Sequence, residues 1–290
     1  MRRIILLLAA TAVGITLSAA KKQPHSEANL EVKYKYEYAA SQVDTLKYKS
    51  DDMLLQIAPG ESRFFSIKTE FYDSLMATPG GKKMVSDMQL DALNKSGGIK
   101  RDASGEITAI TVSAEVFKDV PQRAQTFNVY KYPEQNAIMV YDCLPGTNME
   151  YNTWSLPADE IEWEPGDSTA VFLGYECQNA TADYHGRRWT AWFAPDIPVS
   201  EGPWQLCGLP GLILMAETDG AEYRFTAVSL NECKEMIKDM PGNPVVEKCD
   251  RKEFRRQQVD LAKNPGKRFG YGSMFKDEFY HDLIETDYND

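Results

Sequence analysis

Between Val32 and Tyr38 the chain alternates. Val32, Tyr34, Tyr36 and Tyr38 fall on one side, and Lys33, Lys35 and Glu37 on the other. A period of two marks a strand with one buried face. Residues 45–49 and 53–58 read as the next strands, joined by Ser50-Asp51-Asp52, with a short one at 63–67. Over residues 68–95 the period lengthens to helical spacing through Phe71, Leu75, Val85, Met88 and Leu93. Thr78-Pro79-Gly80-Gly81 divides that helix, and Ser96-Gly97-Gly98 ends it.

Strand patterns resume at 108–112, 126–130 and 137–142. Glu160, Glu162 and Glu164 alternate with Ile161 and Trp163, which predicts a strand with an acidic outer face. Strands follow at 169–176, 178–184 and 187–193, with His185-Gly186 as an exposed turn. Residues 211–218 and 221–229 form a hairpin across Asp219-Gly220. Beyond Asn231 the pattern predicts short charged helices at 232–240 and 250–263, the second capped by Asp250. The last 14 residues hold Asp277, Glu278, Asp282, Glu285, Asp287 and Asp290 without a Lys or Arg, and read as a solvated tail.

Many short strands, tight turns and no βαβ rhythm predict an α+β fold. It is built on a predominantly antiparallel curved β-sheet, an open half-barrel by analogy, with a few helices and a short C-terminal helical segment. The expected organisation is a signal peptide over 1–20, a polar leader over 21–29, a single β-rich domain over 30–249 and a C-terminal helix and acidic tail over 250–290.

Charge and composition narrow the function. The 290-residue chain has a net charge of −11, which argues against nucleic acid as a partner. Arg2 and Arg3, an apolar run from Ile4 to Leu17 and Ser18-Ala19-Ala20 form a secretory signal with cleavage before Lys21. The run is shorter than the roughly 20 residues that cross a bilayer, and no later segment could span one. Export implies an oxidising compartment, where Cys143, Cys177, Cys207, Cys233 and Cys249 become disulfide material. The expected bridges are Cys177–Cys207 and Cys233–Cys249, leaving one cysteine over.

Three histidines leave little room for imidazole chemistry, and none of the common hydrolase, phosphate-loop or dinucleotide motifs occurs. No catalytic residue, metal site or cofactor is assigned. An alternative uses Cys177, Cys207 and His185 as metal ligands or as a thiol–imidazole pair. A binding role is favoured, because all five tryptophans lie between Trp154 and Trp204. In the strand over 187–193, one face carries Trp189 and the other Arg188 and Trp192. An aromatic beside a cation is a common binding surface.

Gly208, Leu209, Pro210, Gly211 and Leu212 then form a turn. Pro210 suits the second position of a type II turn and Gly211 the third, where φ is positive. The turn is unusually apolar, so it either tucks into the core or offers an apolar lip to a ligand. Arg188, Trp192, Trp204 and Gly208 to Leu212 are the candidate binding surface.

The string Gly208-Leu209-Pro210-Gly211-Leu212-Ile213 also resembles the motif that names the GLPGLI family, exported proteins of Bacteroidota. Gly174-Tyr175-Glu176-Cys177-Gln178-Asn179-Ala180-Thr181 and Gly186-Arg187-Arg188-Trp189-Thr190-Ala191-Trp192 resemble it too, as does the run from Pro195 to Trp204. The family usually has Lys where this chain has Asn179. The resemblance implies a β-rich protein of a Gram-negative envelope and carries no catalytic residue with it. The expected function is an exported periplasmic or envelope binding or accessory protein. Its partner would be a hydrophobic ligand, a peptide or another envelope protein.

Overall fold

In the computed structural model, residues 25–39, 48–110, 114–144, 150–264 and 283–289 are described. The signal peptide, most of the leader, residues 45–47 and His281 lie outside them.

The alternating run becomes β1 (Leu30–Ala39), with Val32, Tyr34 and Tyr36 buried. It pairs with β2 (Tyr48–Ala58), which continues through Ser50-Asp51-Asp52 rather than turning there. The polar triplet stays in the ladder because its charges are partnered. Lys33 on β1 meets Asp52 at 2.9 Å, and buried Asp51 accepts the Gln125 backbone N–H at 3.1 Å. Then come β3 (Glu61–Ser66), α1 (Ile67–Met76) and α2 (Pro79–Ser96). Ser66 caps α1, and Thr78 caps α2 by accepting from the Gly81 N–H at 3.0 Å, so the helices divide where expected. A Cβ at Gly81 would overlap the Leu75 carbonyl, so only glycine allows this close approach.

A small ribbon, β4 (Ile99–Arg101) with β5 (Ile107–Ile110), stands apart from the main sheet. The chain continues with β6 (Asn128–Tyr132), β7 (Ala137–Asp142), β8 (Glu150–Leu156), β9 (Glu164–Phe172), β10 (Tyr175–Tyr184), β11 (Arg187–Ala194), β12 (Leu212–Thr218), β13 (Tyr223–Glu232), β14 (Val245–Lys248) and α3 (Arg251–Lys263). Twelve strands form one open, curved, mostly antiparallel sheet in the order β14-β8-β7-β6-β3-β2-β1-β13-β12-β11-β10-β9, with β14 parallel to β8. The α+β expectation holds, and the sheet does not close into a barrel. Bulges at Lys33/Tyr34, Gln178/Ala180 and Trp192/Phe193 add local bend and twist.

Several boundaries differ from those the sequence predicts. Residues 157–163 are not a strand, and Trp163 turns inward to donate to the Cys207 carbonyl at 2.8 Å. The β9–β10 reversal falls at Leu173-Gly174, with φ of 51° and 85°, the twist a two-residue hairpin requires. The β12–β13 connection is a longer 3-10 turn over Asp219–Ala221. Residues 233–240 form no helix. They pair back on the leader through a Glu27↔Met236 bridge and the bond from the Ile237 N–H to the Ser26 carbonyl at 3.0 Å.

The main core lies on one face of the sheet, and a smaller cluster of Ala28, Ala58, Tyr130 and Ile237 packs separately. Side chains from β1, β2, β6, β7 and β10–β13 pack in the main core with Phe254 of α3, Ile284, and the loop over 195–211. That loop and the start of β12 are anchored by two buried side chains. Buried Lys131 on β6 donates to Gly202 O at 2.6 Å, Leu206 O at 3.0 Å and Glu201 at 3.1 Å. Tyr34 donates to Ile213 O at 2.7 Å.

Candidate functional site

The predicted binding residues divide between the core and more exposed positions. Trp204 is wholly buried, with φ of 53°, and stacks on Trp189 at 5.6 Å between ring centres. Leu209, Gly211 and Leu212 are buried as well. The turn therefore tucks into the core, and Trp204, Leu209 and Leu212 are corrected from surface to interior. The turn geometry also differs. The positive φ of 94° is at Gly208, whereas Gly211 is glycine for lack of space, since a Cβ there would overlap the Ala194 carbonyl. Only Gly208 and Pro210 of the motif are exposed.

Arg188 and Trp192 alternate with buried Trp189, Ala191 and Phe193 on β11 and are only partly buried, with Trp192 packing at the margin of the core. Trp192 is half-buried and packs against Phe172 of β9, with ring centres 6.0 Å apart. Its cross-strand neighbours are Asn179 and Met215. Arg188 donates to Thr181 at 2.8 Å and pairs with Glu164 at 2.5 Å and Asp183 at 3.1 Å. Val171 and Leu173, at the β9–β10 reversal, are 69% and 40% exposed. Asn179 secures the bulge in β10, where its side-chain carbonyl oxygen accepts the Ser168 N–H at 3.0 Å and Gly166 leaves it room.

None of the five cysteines is joined in a disulfide, so neither expected bridge is formed. Cys177 donates to Tyr175 O at 3.7 Å and Cys207 to Ala158 O at 3.5 Å. Cys233 donates to Ala28 O at 3.5 Å and Cys249 to Thr153 O at 3.8 Å. Cys233 thus lies beside the first strand and Cys249 beside β8, far apart in the order of the sheet. Burial pushes the Cys177 and Cys207 thiols up, so they are poor thiolates. Among the described residues, no group of three or more His, Cys, Asp or Glu side chains is placed to hold a metal ion.

The densest polar cluster is one the sequence pattern did not reveal. The acidic tail is not solvated over its described part: Glu285 is wholly buried, and Ile284 and Tyr288 nearly so. One Glu285 oxygen accepts from Arg255 at 2.7 Å and from Gln205 at 3.1 Å, and the other from Arg251 at 2.7 Å. Arg255 continues to buried Asp142 on β7 at 2.8 Å, and Arg251 to Asp287 at 2.6 Å. Burial alone would raise the Glu285 pKa, but the charge and hydrogen bond of Arg255, with Arg251 nearby, push it down to about 2. His185, expected to be exposed, is buried beneath the segment, 3.4 Å from Asp287, and burial lowers its pKa. One signal was legible: Arg251 and Arg255 share a helix face next to apolar Phe254, and two cations beside a core residue require acidic partners.

Residues 133–215 match a family model. Its description is "Protein of unknown function (Porph_ging)", and the matched stretch runs from before β7 into β12, taking in both the aromatic strand β11 and the Gly-Leu-Pro-Gly turn. No curated protein matches the chain. Two structures of PNGF-II are similar to it, each at 14% identity and a TM-score of 0.49. The P21 form covers 79% of this chain and 33% of its own, and the C2 form 80% and 32%. This chain therefore spans about a third of the length of those structures. Among the described residues, no helix is long and apolar enough to cross a membrane.

Proposed function

We propose that this is an exported binding or accessory protein of a bacterial envelope, of the GLPGLI type, which holds a peptide or an envelope protein partner on the surface around Trp192. The observation that carries this reading is the partly exposed Trp192–Phe172 pair at the margin of the core, on the strand that also carries Arg188 and near the exposed Val171 and Leu173 of the β9–β10 reversal. A partly exposed aromatic pair supplies apolar area of the kind that dominates binding energetics. The GLPGLI assignment rests on the ordered strings in the sequence, and the Porph_ging match covers the same region. Export rests on the basic, apolar and small-residue order of the first 20 residues.

The reading is tested by immobilising the full chain and the variants W192A, R188A and W204A, exposing each to solubilised envelope, and identifying captured proteins. W192A and R188A should lose a captured protein while unfolding within a few degrees of the parent. Unchanged capture by W192A overturns the assignment of the surface. N-terminal sequencing of protein from the producing cell should begin at Lys21, and a start at Met1 overturns export by this signal.

A further inference from the structure

The C-terminal segment is held as a ligand is held. Its ends are ordered by contacts to side chains and to backbone that belong to distant elements. Arg187 on β11 donates through Nε at 3.2 Å and a terminal nitrogen at 2.7 Å to the Leu283 carbonyl. The Thr286 N–H donates to the His185 carbonyl at 2.9 Å, and its hydroxyl to the Gly186 carbonyl at 2.9 Å. Between these anchors, Glu285 enters a cradle of Arg255, Arg251 and Gln205 and loses all contact with water. Asp287 takes Arg251 in a two-point contact, with nitrogen–oxygen distances of 2.7 and 2.6 Å. Bidentate guanidinium contacts give such a site geometric selectivity for carboxylates. The cradle also has capacity left: His185 Nε2 and Arg255 Nε are buried without a hydrogen-bond partner.

We propose that Arg251, Arg255, Gln205, Arg187 and the His185-Gly186 turn form a recognition socket for an acidic peptide, and that residues 283–289 of the chain are its reversibly bound ligand. The socket selects an apolar residue followed by Glu, a hydroxyl residue and Asp, as in Ile284-Glu285-Thr286-Asp287. Backbone anchors on both sides of the buried carboxylate distinguish it from a simple surface ion pair. It is separate from the surface around Trp192, so the failure of either proposal leaves the other standing.

The test uses the full chain with a protease site inserted between residues 265 and 282, cleaved after purification. A fluorescein-labelled peptide of residues 283–290 is then added and its anisotropy followed. The expected result is saturable exchange into the cleaved protein, weakening with salt. A peptide with the Glu285→Gln change should bind at least tenfold more weakly. Cleaved protein that keeps its cooperative unfolding yet admits no peptide overturns the proposal, as does loss of cooperative unfolding when the segment is displaced. On the uncut chain, the Thr286 amide should exchange with deuterium faster than the paired amides of β10 and β11. Equal protection marks a fixed structural element and overturns reversibility. A concentration-dependent dimer of the uncut chain that disappears in E285Q supports the proposal, because it places one copy's segment in the other's socket.

Discussion

The Glu285 carboxylate, wholly removed from water, lies 2.7 Å from the Arg255 guanidinium. Arg255 in turn reaches Asp142 on the sheet at 2.8 Å, so one α3 side chain joins the C-terminal segment to β7. Breaking a buried pair by removing one partner costs roughly 3–5 kcal/mol when the remaining charge stays buried. Here water can reach Arg251 and Arg255 once the segment leaves. E285A should therefore lose about 2 kcal/mol, below that range. Urea unfolding of E285A against the parent measures the difference.

Acid should weaken the same contact. Glu285 has a folded pKa of about 2, below its ordinary 4.5. A depressed carboxylate contributes stability that is fully present above the unfolded value and is lost as pH falls through the folded one. His185, lowered by burial, has the same sign: the unfolded state takes up its proton first, so stability declines as pH drops below the ordinary imidazole value of 6.5. Unfolding midpoints should fall between pH 6.5 and 2, with the low-pH part of the slope reduced in E285Q and the upper part in H185Q.

The glycine in the Gly-Leu-Pro-Gly turn can be tested against a helical one. G211A forces a Cβ into the Ala194 carbonyl, and overpacking of this kind costs about 1–3 kcal/mol or more. G80A, at the start of α2 with nothing within 4 Å, should be neutral or stabilising by up to about 1 kcal/mol. Thermal melts of the two variants give the contrast. Equal effects would mean that the turn does not pack on β11.

The buried and the partly exposed tryptophan should separate in stability. W204A opens a cavity beside Trp189 and should cost about 3–5 kcal/mol. W192A removes a half-buried side chain and should cost about 1 kcal/mol. Similar losses would place Trp192 in the core as well.

Thiol chemistry follows from burial. Protein denatured without reductant should titrate five thiols. In the native state Cys233, which is partly exposed, should alkylate first. Cys177 and Cys207, buried and with raised pKa, should react only on the time scale of unfolding. Mass spectrometry of partially labelled protein reads the order, and a native Cys177–Cys207 bridge would contradict the structure.

Local chemistry was legible wherever it acts within a few residues. The alternation at Val32–Tyr38, the helix break at Thr78-Pro79 and the cap at Asp250 all appear where the sequence places them. So does the turn at His185-Gly186, although its histidine is buried rather than exposed. Backbone preference and periodicity decide such features, and both are written in adjacent positions.

Burial was legible only in part, because a side chain's environment depends on residues remote in sequence. The sequence by itself determined a curved antiparallel α+β fold and a Trp-rich, Gly-Pro-punctuated centre. Only the tertiary structure decided that Trp204 and Leu209 fill the core while Trp192 stays partly exposed at its margin, since a sequence pattern names faces without saying which is covered. Likewise, an acidic tail reads as solvated until its partners are known. Arg255 lies 30 residues before Glu285 and 113 after Asp142. Only the meeting of these three in the fold makes a buried carboxylate cheaper than a solvated one.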